Sequence, residues 1–179
     1  MRILAFILIV FIAKAKAQNY PYSFQANAGL LIGNSVLPSF TTQIFNGVRI
    51  DKWKIEAGIV SGVDIYKQIT VLPLAAGLKW MPFRSRSLSP FIGLSAGFGF
   101  DWLQRRAESY SYRGGAMFNP SIGVKIKTKW KASMNLALGF KKQNASVYQT
   151  YYGMGGKPIS AIEEEYTFSR LSINYGLSF

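Results

Sequence analysis

The side chains that carry most enzymatic chemistry are missing from this sequence. Its 179 residues include no His and no Cys. That removes Ser-His-Asp triads, HExxH zinc sites, imidazole bases, thiolate nucleophiles and thiolate metal sites. The charges that remain are 21 Lys and Arg against 8 Asp and Glu, a formal net charge of +13. Many of them occupy alternate positions inside otherwise apolar segments: Arg49, Lys54, Lys79, Lys125, Lys127, Lys141 and Arg170, against Glu56, Asp64 and Asp101. Two further groupings stand out. Tyr110, Tyr112, Tyr148, Tyr151 and Tyr152 accompany Arg105, Arg106, Arg113 and Lys157, a mixture that binding surfaces favour. Glu163, Glu164 and Glu165 are adjacent, so in a strand they would alternate faces and be solvated rather than converge on a cation. No residue is assigned a catalytic, cofactor-binding or metal-binding role.

The elements that must position these groups follow a targeting segment. Met1-Arg2 is a short basic start, Ile3 to Ala13 is an unbroken apolar run, and Ala15-Lys16-Ala17 fits a small-x-small cleavage site. The run stops at Lys14, short of the roughly 20 residues that a helical span needs. The expectation is a cleaved signal peptide over 1–17 and one domain over 18–179. No later segment is long and apolar enough to cross a bilayer as a helix, which leaves the closed β-barrel as the other structure able to span lipid.

From Ser23 onward the apolar residues recur with period two, the mark of half-buried strands. In the last segment Leu171, Ile173, Tyr175, Leu177 and Phe179 alternate with Arg170, Ser172, Asn174, Gly176 and Ser178. Another segment sets Ile92, Leu94, Ala96, Phe98, Phe100 and Trp102 against Gly93, Ser95, Gly97, Gly99 and Asp101. The pattern predicts eight strands near 23–33, 40–51, 53–65, 68–81, 91–103, 115–129, 131–145 and 166–179. Pro73, which has no N–H for a ladder, predicts an irregularity or bulge in the fourth. Tight turns fall near Asp51-Lys52 and Lys129-Trp130-Lys131, and a basic run, Pro82 to Pro90, follows the fourth strand. Long connections are expected over 104–114 and 146–165. Short periplasmic turns and long outer loops are the habit of outer-membrane barrels.

Alternation alone leaves the inner face undecided, and a soluble barrel would turn its apolar face inward. Three features favour apolar-out. Each predicted strand carries Gly on its polar face (Gly29, Gly47, Gly58, Gly77, Gly97, Gly123, Gly139 and Gly176), where it makes room for long side chains in a narrow lumen. Trp53, Trp80, Trp102 and Trp130 fall at strand ends on the apolar face, as aromatic girdles do. The chain also ends on an apolar-face Phe179 without a polar tail. The predicted fold is all-β: an eight-stranded antiparallel up-and-down transmembrane barrel.

Here the sequence resembles small eight-stranded outer-membrane barrels of the OmpX and OmpA-barrel kind. Gly77-Leu78-Lys79-Trp80-Met81-Pro82-Phe83 with Pro90-Phe91-Ile92-Gly93 is also similar to the strand-turn-strand of the Bacteroidota PorT-like outer-membrane β-barrel family. The resemblance implies export and residence in the outer membrane among lipid and lipopolysaccharide. It further implies that Tyr175, Leu177 and Phe179 form the signal read by the barrel-assembly machinery. It implies no single activity. The proteases, deacylases and acyltransferases built on such barrels resemble one another in using a His, which this chain lacks.

In that setting the alternate charges are expected to form a structural ion-pair network inside the lumen, drawn from Arg49, Lys54, Glu56, Lys79, Asp101, Lys125 and Arg170, because unpaired burial is expensive. A proton or anion pathway is the alternative. Positive charge arranged this way does not imply nucleic acid. Arg105, Arg106, Tyr110, Tyr112, Tyr151 and Tyr152 are binding candidates on long loops, or else an outer aromatic girdle continuing into them. The leading function is a non-enzymatic barrel, without cofactor, whose loops contact a ligand, protein partner or surface glycan. Three alternatives remain: an accessory of a secretion or assembly system, with a partner at loops or periplasmic turns; a narrow pore; and a secreted soluble barrel that binds lipid.

Overall fold

Strict alternation forces each strand to put one face toward a lumen, and the sheet it builds closes on itself. The computed structural model describes residues 21–33, 38–67, 69–83, 87–103, 110–128, 132–152 and 158–179. They form β1 (Tyr22–Ile32), β2 (Ser39–Ile50), β3 (Ile55–Ile65), β4 (Thr70–Trp80), β5 (Leu88–Phe100), β6 (Tyr110–Lys127), β7 (Ser133–Tyr152) and β8 (Pro158–Ser178). Each strand pairs antiparallel with the next, and β8 pairs with β1 to close an eight-stranded barrel. Stepping from Ser133 partner by partner through Ser178, Gln25, Phe45, Val60, Ala75, Gly97 and Met117 returns to β7 at Gln143, ten residues further along. A stagger of this kind goes with strands tilted by about 35–45°.

The faces divide as expected. Ile59, Ile92 and Ile122 are more than half exposed on the outside, while Glu56, Asp64 and Lys141 are completely buried within. Lumen glycines do make room, although asparagine takes much of it. Gly29 lies opposite Asn174 and Gly176 opposite Asn27. A Cβ at Gly29 would run into Asn174 Oδ1 and the Ile173 carbonyl, and one at Gly176 would run into Asn27 Oδ1.

Several boundaries differ from the sequence expectation. β5 starts at Leu88 and so includes Pro90, which the sequence assigned to a turn. Most of the two long connections is strand: β6 begins at Tyr110, β7 runs to Tyr152 and β8 begins at Pro158. Turn-rich Ser, Tyr and Gly obscured the alternation there, while pairing of three neighbouring strands with one another supplies the backbone partners. Pro73 produces no bulge. It is buried on the inner face, and the β3–β4 ladder simply opens between Ser61↔Leu74 and Asp64↔Val71 with register kept. The register shifts instead in β6, between Gly114 and Met117.

Trp80 ends β4 and Trp102 follows β5, both on the outer face and exposed, with Phe98, Phe100 and Trp102 in a ring ladder at 5.4 and 4.8 Å. Trp53 is exposed in the 3₁₀ turn Asp51–Trp53. Trp130, residues 1–17 and Arg84-Ser85-Arg86 lie outside the described residues.

Candidate functional site: a charged lumen beneath a projecting blade

At the end of the lumen near the β2–β3 turn, Glu56 is the hub. It is fully buried, and cross-strand pairing sets it between Arg49 and Lys79. Arg49 Nε and Lys125 Nζ each lie 3.7 Å from Glu56 Oε1, and Gln25 Nε2 donates to Oε2 at 2.6 Å. Lys79 donates to Gln25 Oε1, and its ammonium stands 5.3 Å from the Phe45 ring and 5.2 Å from the Phe91 ring. A buried carboxylate with this many donors has its charge answered from several sides, which is what makes its burial tolerable.

Further up, Lys141 and Asp64 form a second, fully buried ion pair. Thr41 Oγ1 donates to Asp64 Oδ1 at 2.6 Å, and Gln143 Nε2 approaches Thr41 at 3.4 Å. Arg170 lies directly across from Lys141, with its guanidinium over Gly33, whose missing Cβ leaves the space. Between the two charged layers is a chamber of only about 50 Å³, where Asn27, Gln43, Asn119 and Asn174 meet Phe45, Val60 and Phe91. That is space for a few waters at most. Above the second layer Leu31, Tyr66, Ile69, Val71, Ala145 and Phe168 pack into an apolar cap. Its rings stack: Tyr66 on Phe168 at 4.2 Å and 11°, and Tyr166 on Phe168 at 5.8 Å and 4°.

Two members of the expected network are elsewhere. Lys54 occupies the left-handed position (φ 56°) that ends the Asp51–Trp53 turn, so it is exposed outside the lumen. The tight turn uses that residue before β3 begins. Asp101 lies just past the end of β5, partly exposed, with no ion pair among the described residues. Asp64 takes the role expected of Asp101. Gln25, Thr41 and Gln143 were missed because neutral lumen residues carry no charge signal, although their alternation was legible. The cap was missed for the opposite reason: inward Leu, Ile, Val and Phe break the polar-in rule.

Beyond the cap, β6, β7 and β8 continue as a three-stranded blade. Pairing of β6 with β5 ends at Phe98↔Ala116, and pairing of β8 with β1 ends at Ile32↔Leu171. The blade's register aligns Tyr112, Val147 and Glu164 on one face, and Tyr110, Gln149 and Ile162 on the same face further out. Tyr112 and Tyr166 pack on the cap, while Tyr110, Tyr151 and Ile162 are exposed. Tyr110, Tyr112 and Tyr151 are therefore strand residues rather than loop residues. Tyr152 lies at the register shift ending β7, and Arg105 and Arg106 lie outside the described residues. Tyr175, Leu177 and Phe179 face outward, and Phe179 closes the barrel by donating its N–H to the Phe24 carbonyl at 2.9 Å.

Burial holds the Tyr66 phenol neutral well above the ordinary value of 10.0, with the neighbouring Asp64 charge adding to the effect. The unfolded chain ionises there first, so the contribution of Tyr66 is complete below pH 10 and falls as pH rises beyond it. Tyr66→Phe is expected to match the parent at pH 8. At pH 11 it should be more stable than the parent by roughly 1 kcal/mol, one pH unit of linkage. Denaturant titrations at both pH values check this, and parallel curves at both would refute it.

A closed barrel of eight antiparallel strands, apolar outside and charged within, is the architecture of a transmembrane β-barrel. A soluble lipid binder would need the reverse arrangement. No family model and no curated protein matches the chain. Among solved structures it is similar to the outer membrane protein AlkL, determined by solid-state NMR in DMPC lipid bilayers. The TM-score is 0.55, covering 89% of this chain and 90% of that one, at 11% sequence identity. At that identity the likeness is one of fold alone.

Proposed function

We propose that this protein is a non-enzymatic outer-membrane barrel, closed to solutes, that presents the β6–β8 blade to a ligand or partner outside the cell. The observation that carries this reading is the contrast between a lumen filled with buried charged and apolar side chains and a blade that leaves the barrel with exposed Tyr110, Tyr151 and Ile162 on one face. Such a face offers rigid aromatic contact area at low entropic cost. Among the described residues the outer parts of β6 and β8 have no further ladder neighbour, and these edges add backbone donors and acceptors able to take an extended segment. Outer-membrane lipid and lipopolysaccharide surround the belt, and the assembly machinery reads Tyr175, Leu177 and Phe179.

The chain has no native Cys, so single cysteines report topology cleanly. Ser160→Cys on the blade should react with an impermeant maleimide on intact cells, whereas Lys52→Cys in the β2–β3 turn should react only after permeabilisation. The reverse pattern, or recovery of the mature chain in a soluble fraction, would overturn the reading. Tyr175→Asp places a charge on the lipid face, where Lys or Arg costs about 2–4 kcal/mol at mid-bilayer, Asp less, and any charge less near the interfaces. Heat-modifiable, folded protein should fall accordingly in membrane fractions. An unchanged folded yield would remove the assembly role from this strand.

A further inference from the structure

The outer wall of the barrel is not smooth. Across β1 to β5 runs a groove of about 520 Å³, with Ala26, Thr42 and Ser61 along its floor and Ile44, Leu74 and Trp102 at its rim. It overlies the stretch where the β3–β4 ladder opens at Pro73, so the sheet itself is parted beneath it. The groove faces away from the lumen, toward the surroundings of the belt, and Trp102 is 73% exposed. Hydrocarbon holds no water to fill such a depression, and apolar hollows of this kind stay dry. The turn that joins β3 to β4, two of the strands lining the groove, is held by the Tyr66 N–H donating to the Ile69 carbonyl at 2.9 Å, and it carries the exposed Lys67. No carboxylate among the described residues pairs with Lys67.

An apolar trough on strands whose connecting turn carries an exposed lysine has the shape and charge of an anionic amphiphile. We propose that this groove holds one acyl chain of an anionic outer-leaflet lipid whose phosphate meets Lys67. The proposal rests on the membrane-spanning reading above, and its test separates the two. Trp102 lies at the rim and serves as the reporter, in protein with Trp53, Trp80 and Trp130 replaced by Phe. The barrel is reconstituted with phosphatidylglycerol or phosphatidylcholine carrying brominated acyl chains, at equal mole fraction. Quenching curves should show relative binding at Trp102 about fivefold stronger for the anionic lipid, the factor that one lysine contributes near an anionic surface. Lys67→Glu should abolish the preference, and Ser61→Phe, which fills the floor, should reduce quenching by the anionic lipid to the zwitterionic level.

Equal quenching by the two lipids in the parent, or a preference that survives Lys67→Glu, would overturn the site. Shielding of Trp102 from both lipids would mean that protein covers the groove, and would overturn it as well. A companion protein keeping only Trp80 should be quenched by both lipids without preference. Failure of that control would mean that the barrel does not span the bilayer at all.

Discussion

Asp64→Asn is expected to destabilise the folded barrel by about 3–5 kcal/mol, the range for removing one partner of a buried ion pair. The cause is specific to this lumen. Lys141 is completely buried, and its cross-strand neighbour on β8 is the cationic Arg170, so Asp64 supplies the counter-charge for that layer. Asparagine keeps the size and still accepts from Thr41, but it leaves the ammonium without an anion. Lys141→Met alone strands the carboxylate and should cost a similar amount. The double change Asp64→Leu with Lys141→Met removes both charges together and should recover most of the loss, since apolar replacement of a whole buried pair is often neutral. Urea titration of refolded protein, read by mobility of the folded band, measures all four chains. Asp64→Asn with the parent's midpoint would show that the pair does not hold this layer.

The second large effect is an absence of current. Planar bilayers containing the parent should show no stable single-channel conductance above background. Eight-stranded barrels have an interior just wide enough for side chains to fill, whereas porins with aqueous channels use about 16–18 strands. Here the filling comes in three successive layers: the Glu56 cluster, the Asp64–Lys141 pair, and the apolar cap around Tyr66 and Phe168. The chamber between the charged layers holds only about 50 Å³. Glu56→Gln should lower the unfolding midpoint, because Arg49 and Lys125 lose their shared carboxylate, and still leave the bilayer silent because the upper layers persist. Reproducible ion-selective openings in the parent would restore the narrow-pore alternative.

What the sequence determined by itself was the fold class, the number of strands and which face is which. Period-two alternation is a property of each strand alone, and eight such segments with Gly on one face and Trp at the ends admit few other solutions. Exclusion of His and Cys chemistry was equally complete, because composition requires no geometry. The tertiary structure decided which charges meet. Glu56 and Arg49 flank a tight turn and were both legible as members of a lumen network, but Asp64 and Lys141 lie on β3 and β7 and come together only across the lumen of a barrel staggered by ten residues. Lys54 was lost to a turn whose left-handed position no alternation count reveals. The blade was hidden because its strands run past the barrel without a matching neighbour on either side among the described residues, so mutual pairing of β6, β7 and β8 makes strand of what composition reads as loop. Local periodicity is encoded residue by residue, whereas contacts across a lumen depend on closure and shear, which belong to the whole sheet.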